Sequence, residues 1–199
     1  MKLVKFVVMY EVRLWIALYR WLFRRPAPVP PGSESFQYSG AVMTILVAFI
    51  VVSALEIPIL HLMLPWELVR VLSLAVGFYG LFWMFGLLAT MRVYPHLVGP
   101  DGLRIRNSLT LDLPIPWEDV REIRSRGRSL PPGGKTQFEG GVLSFGLASG
   151  TTVDVVLARP LVLPVKQTLG EPVTEIRFHA DTPDALVAAA RAHMRTEVG

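Results

Sequence analysis

The residues able to do chemistry are few and scattered. Four histidines, His61, His96, His179 and His193, stand in different segments. None shows a metal-ligand spacing such as HExxH, so no metal site is expected. The chain has no cysteine, which excludes disulfides, thiolate metal sites, iron–sulfur clusters and cysteine nucleophiles. Ser144 and Ser149 lack the flanks of a nucleophile elbow. Pro132-Gly-Gly-Lys-Thr136 lacks the GxxxxGK[ST] spacing that cradles phosphates. The adjacent acids Glu118 and Asp119 follow Trp117 where a turn leads into a strand, a place where carboxylates cap backbone. The expectation is a protein that is not an enzyme, with no catalytic residue, no cofactor and no metal.

Two acids remain conspicuous. Glu11 projects nearly opposite the basic residues of an N-terminal helical pattern, and Glu56, with Pro58 and His61, sits near the end of an apolar segment. A carboxylate in apolar surroundings is costly unless paired. Glu11, Glu56 and His61 are therefore candidates for intramembrane polar pairing or proton handling; the alternative is that they snorkel to the headgroups at a helix end.

The elements that carry these residues are mostly apolar. Hydrophobic residues make up 52% of the 199-residue chain, too many for a soluble domain of this size, and most lie before Tyr94. The 21 residues from Val71 to Met91 carry no formal charge and reach about 31 Å as a helix, enough to cross a bilayer. Ala41 to Leu64 contains only Glu56, and Pro65 marks the turn between the two segments. Residues 40–92 thus read as a two-helix transmembrane hairpin. Thr44 and Ala48 on the first helix and Ser73, Gly77 and Gly80 on the second are small residues at helical spacing, expected to face each other or a partner.

Basic residues set the orientation. Lys2, Lys5, Arg13, Arg20, Arg24 and Arg25 precede the first span, Arg92, Arg104 and Arg106 follow the second, and the connection has only Arg70. Both termini are expected in the cytoplasm, with the turn outside. Residues 1–25 read as a basic amphipathic helix, because Lys2, Lys5, Arg13, Arg20 and Arg24 fall in one sector of an otherwise apolar surface. Inserting its charges would cost about 2.5 to 3.5 kcal/mol for each central one, so an interfacial position is expected. Signal cleavage is not expected, since charges interrupt the apolar stretch and Arg24 and Arg25 replace a small-residue cleavage site. Residues 26–39, with PAPVPPG at their start, read as a stiff linker.

From 93 to 199 the period changes to two. Leu103 to Asn107 and Leu109 to Leu113 alternate around Asn107-Ser108, and further strands are expected over 117–126, 142–147, 151–158, 161–165 and 173–180. Gly127 to Gly141 reads as a loop, and Ala185 to Arg195 as a helix started by Asp181-Thr-Pro-Asp184. The stretches Val98-Gly-Pro-Asp-Gly-Leu-Arg-Ile-Arg-Asn107 and Ile115-Pro-Trp-Glu-Asp-Val120, with the final strand and helix from Thr174 onward, resemble bacterial PH-like domains fused to transmembrane helix pairs. The resemblance covers about half of the chain. It implies about seven bent antiparallel strands closed by a C-terminal helix, and a scaffold that binds peptides, lipids or neighbouring subunits. The N-terminal helix and the long loop at Pro131-Pro-Gly-Gly134 depart from that pattern.

The expected whole is an integral membrane helical hairpin plus a cytoplasmic PH-like β domain, acting as a membrane-anchored interaction module or as an accessory subunit of a membrane transporter or enzyme complex. Anionic headgroups are expected partners of Lys2, Lys5, Arg13, Arg20, Arg24 and Arg25, and of Arg121, Arg124, Arg126, Arg128 and Lys135 around the Gly-rich loop. Another membrane protein or a second copy is the expected protein partner. A net charge of +4 that flanks apolar helices serves membrane topology, so nucleic acid is not expected.

Overall fold

The computed structural model describes residues 2–25, 27–107, 109 and 111–196, apart from the side chains of Lys2, Leu3, Phe6, Ala41 and Thr196. The chain divides into two compact units, Met1–Ala27 with Val42–Tyr94, and Pro28–Ala41 with Pro95–Gly199.

Three helices build the first unit: α1 (Lys2–Leu22), α2 (Gly40–Met63) and α3 (Glu67–Val93). Glu67 in the first turn of α3 and Arg92 in its last complement the partial charges of the helix ends. Pro65 stands in the short connection between α2 and α3, where a helix cannot continue through it. Both α2 and α3 are long and apolar enough to cross a membrane, and only 6% and 11% of their apolar windows are buried. A core helix of a soluble fold would be mostly buried, so these two expose to their surroundings what such a helix hides.

Packing within this unit differs from expectation. α3 packs chiefly along α1, and the two run parallel: Glu11 lies beside Trp83, Leu14 beside Gly86, and Arg20 to Leu22 beside Arg92 and Val93. Leu14 and Ala17, three residues apart on one face, are fully buried. The contact needs a glycine, since a Cβ on Gly86 would overlap the Leu14 side chain. A helix lying flat in an interface would keep that face for lipid; here it is spent on α3. The α2–α3 contact is narrower. Ile50 and Ile57 are the buried apolar positions of α2, and Ile57 meets Gly77. Thr44 and Ala48 are exposed, nothing lies within 4 Å of a Cβ built on Gly80, and the Ser73 hydroxyl donates to Val69 O at 2.7 Å within its own helix. Of the small residues expected to face each other or a partner, Gly77 serves the α2–α3 contact, and Thr44, Ala48 and Gly80 are left open to a partner. The branched side chains of Ile50 and Ile57 supply the rest of that face.

The second unit holds nine strands in two sheets among the described residues. The first has the order β1 (Glu34–Phe36), β2 (His96–Gly99), β3 (Gly102–Asn107), β4 (Leu111–Ile115); the second has β5 (Val120–Ser129), β8 (Gly150–Val162), β9 (Pro172–Phe178), β7 (Val142–Phe145), β6 (Thr136–Glu139). Neighbours are antiparallel except β7 and β9, which pair in parallel from Val142↔Glu175 to Phe145↔Phe178. The C-terminal helix α4 (Pro183–Thr196) places Leu186, Val187 and Ala190 in a core shared with Val98, Ile105, Trp117, Ile123, Val155 and Ile176. Gly102 permits the β2–β3 turn: its φ is +140°, and a Cβ there would strike Ile115 O.

Nine strands replace the expected seven, and one pair is parallel. The segment read as linker contributes β1, which pairs with β2 through Ser35↔Leu97. The segment read as a loop contains β6 and the end of β5, and the two strands expected over 151–165 are one strand, β8. Irregular register between Val156 and Leu161 produces the break that the sequence shows there. Part of the expected strand at 109–113 lies outside the described residues.

Gly86→Leu should overpack the α1–α3 contact and cost about 1 to 3 kcal/mol, whereas Gly80→Ala, facing open space, should be nearly neutral. Thermal unfolding of the two variants in the same detergent checks the difference.

Candidate functional site

The basic residues of β5 were expected to form one surface, and the strand sorts them. β5 buries Val120 and Ile123, three residues apart across a register irregularity between Val120 and Glu122, and leaves Arg121, Arg124 and Arg126 exposed. Arg124 pairs with Glu122 at 3.0 Å, both about half exposed, a contact worth a few tenths of a kcal/mol at most. Arg121 and Arg126 make no ion pair among the described residues. Lys135 is exposed in the following loop, which is closed on itself by the Gln137 side-chain amide donating to Pro131 O at 3.0 Å and Gly134 O at 3.2 Å.

Arg128 is a different kind of residue. Its guanidinium donates twice to Asp154 Oδ2, at 3.1 and 3.0 Å, and Asp154 is 3% exposed. Arg177 approaches the same carboxylate at 3.8 Å. A buried carboxylate needs such partners, so Arg128 holds the sheet together and is not part of the free basic surface. Asp119 is likewise held by Arg159 at 2.8 Å, while Trp117 and Glu118 complete the 3-10 turn before β5. Asp119 of that acidic pair is structural, and Glu118 is exposed.

β5 is an edge strand, a position open to pairing with another chain. One point of the edge is covered. Arg191 of α4 donates through Nη2 to Ile123 O at 2.9 Å, and β6 forms the opposite edge of the same sheet.

The four histidines form no metal centre with the acids; no group of three or more potential ligands occurs among the described residues. His61 is exposed on α2, and His193 stacks on Trp117 with rings 6.1 Å apart. His96 is fully enclosed between Tyr38 and Phe178. Its Nδ1 accepts the Arg106 N–H at 3.1 Å, so Nε2 carries the proton and donates to His179 O at 2.9 Å. Burial pushes this imidazole down to about 4, with the neighbouring His179 and Arg106 charges acting the same way against the His179 hydrogen bond. His96 is therefore a neutral crosslink between β2, β3 and the end of β9.

Of the three residues singled out for polar pairing, Glu11 has side-chain partners in the structure. It accepts from Trp83 Nε1 at 3.0 Å through Oε1 and from Trp15 Nε1 at 3.2 Å through Oε2. Glu56 and His61 are exposed and are not brought to it. Trp15 is four residues from Glu11, within reach of a helical projection; Trp83 is 72 residues away and carries no sequence signal of the pairing.

On α1, Lys5 and Arg13 are exposed and Arg20 is half-buried; Lys2 has no described side chain. Arg24 and Arg25 follow the helix, and the Arg25 guanidinium lies 5.9 Å from the Tyr19 ring centroid. The basic positions therefore continue past the end of the helix into the turn.

Compared with protein-family models, curated proteins and solved structures, the chain matches none.

His96 sets a pH dependence. Its folded pKa is below the unfolded value of 6.5, so the unfolded chain binds the extra proton between the two, and stability is complete above about 6.5 and lost as pH falls. Between pH 6.5 and 5 the loss should approach about 2 kcal/mol. Denaturant unfolding of the full chain across this window checks it, with His96→Gln expected to remove most of the slope.

Proposed function

We propose that the chain is a non-catalytic, membrane-anchored interaction module, in which α2 and α3 cross the bilayer and the nine-stranded unit is a PH-like domain presented at the cytoplasmic surface. The observation that carries this reading is the bare apolar surface of α2 and α3, which water cannot solvate and a bilayer can. The two mostly antiparallel sheets with one C-terminal helix agree with the resemblance noted in the sequence. The basic cluster of Arg92, Arg20, Arg24 and Arg25 supports a cytoplasmic placement of that end of the helices, with the Leu64–Trp66 turn outside. The exposed edge of β5 with Arg121 and Arg126 is the surface offered to a partner, an acidic segment of another membrane protein.

A second reading concerns α1 alone. Its parallel packing on α3 favours a helix embedded beside the spans over one lying in the interface with a cytoplasmic N-terminus. Glu11, which would then be deepest, already has two indole donors, and the exposed Lys5 and Arg13 would snorkel toward opposite faces.

Because the chain lacks cysteine, single-cysteine variants report sidedness directly. In native membranes Leu62→Cys should react with an impermeant maleimide only from outside. Arg126→Cys should react only from the cytoplasmic side, and more slowly than in the purified chain because a partner covers it. Equal rates in both preparations would contradict the recruiting role. Lys5→Cys separates the two readings of α1, since labelling from the cytoplasmic side requires the interfacial helix.

A further inference from the structure

α1 and α3 end side by side, and their last residues form a site of their own. Arg20, Trp21, Leu22, Arg24, Arg92 and Val93 line an open cleft of about 490 Å³. Three arginines line it and no acidic residue does. The cleft depends on how α1 stops. Arg25 N donates to Arg20 O at 2.7 Å and Arg24 N to Trp21 O at 3.2 Å, the paired bonds of a Schellman turn. Arg24 stands in the left-handed position of that turn with φ 51°, where glycine is usual. The turn thereby puts a guanidinium at a place that ordinarily carries no side chain.

The lining is two-sided in chemistry. The arginines offer planar, permanently charged forks that suit a phosphate. Leu22, Val93 and the Trp21 ring are apolar, and on the α1 side the lining adjoins further exposed aromatic surface at Tyr19 and Phe23. A small soluble anion would use the first set and leave the second wet. A phospholipid uses both, with its phosphate among the arginines and its acyl chains along the helices.

We propose that this cleft binds the phosphate-bearing headgroup of one anionic phospholipid, held by Arg20, Arg24 and Arg92. The site rests on the reading that α3 crosses the bilayer, and it places the cleft at the headgroup level of the leaflet at the Arg92 end. It needs nothing from the β unit and holds on either reading of α1.

The test uses the full chain in nanodiscs of phosphatidylcholine alone or mixed with phosphatidylglycerol, followed by release and native mass spectrometry of retained lipid. The expected result is one phosphatidylglycerol retained in preference to phosphatidylcholine. Retention should fall about tenfold or more in Arg20→Gln/Arg92→Gln, survive largely in Arg20→Lys/Arg92→Lys, and stay unchanged in Arg25→Gln and Arg70→Gln. Should the glutamine pair not fold, Arg24→Gln reads the same contact. Added inorganic phosphate should not displace the lipid. Equal retention of both lipids, indifference to the glutamine substitutions, or displacement by phosphate would each overturn the proposal. A chain that inserts in nanodiscs yet shows no lipid preference sinks this site alone, whereas a chain that does not insert overturns the anchoring reading with it.

Discussion

An α-helix satisfies its own backbone hydrogen bonds, but its outer surface still has to find a solvent. For α2 and α3 that surface is Ile45, Phe49, Val52, Leu55, Leu72, Val76, Phe78 and Phe82, all exposed. The rest of the molecule is arranged around this one constraint. Charge is kept to the ends of the two helices, at Glu67, Arg70 and Arg92, with Glu56 the exception. Contacts among the helices cannot draw on the hydrophobic effect once lipid is the solvent, so they rely on close approach. Glycine supplies it at Gly86 against Leu14 and at Gly77 against Ile57.

Several buried or half-buried polar groups in both units are held by specific partners. Glu11 sits between the Trp15 and Trp83 indoles. Asp154 has Arg128 and Arg177, and Asp119 has Arg159. His96 stays neutral so that one ring nitrogen can donate and the other accept. Such groups fix register and geometry more than they add stability, because desolvation offsets much of their attraction. Arg121 and Arg126 on β5 make no ion pair among the described residues and are the ones left to face a partner.

What could be read from the sequence was whatever one segment specifies by itself. The apolar runs gave α2 and α3 to within a few residues, alternation gave β3, β5, β7 and β9 in outline, and Asp181 to Asp184 gave the start of α4. The misses are long-range. β1 and β6 are short strands that exist because β2 and β7 offer edges to pair with, and neither Glu34–Phe36 nor Thr136–Glu139 alternates strongly enough to be recognised alone. The small residues illustrate a related point. Spacing identifies a face but not its neighbour, and the neighbour of most of α3 is α1. Arg128 looked like its exposed neighbours until a carboxylate 26 residues away claimed it, and the pairing of Glu11 with Trp83 and the cleft at Arg20, Arg24 and Arg92 likewise join segments about seventy residues apart.

The central claim is that α2 and α3 are solvated by lipid, and backbone amide exchange reads that most directly. With the full chain in lipid nanodiscs, the central amides of α2 and α3 should remain unexchanged in deuterated buffer for hours, while amides in the turn at Leu64 to Trp66 and in the loop after β5 exchange within minutes. Rapid exchange along the whole of α2 and α3, matching that of exposed loops, would contradict the account.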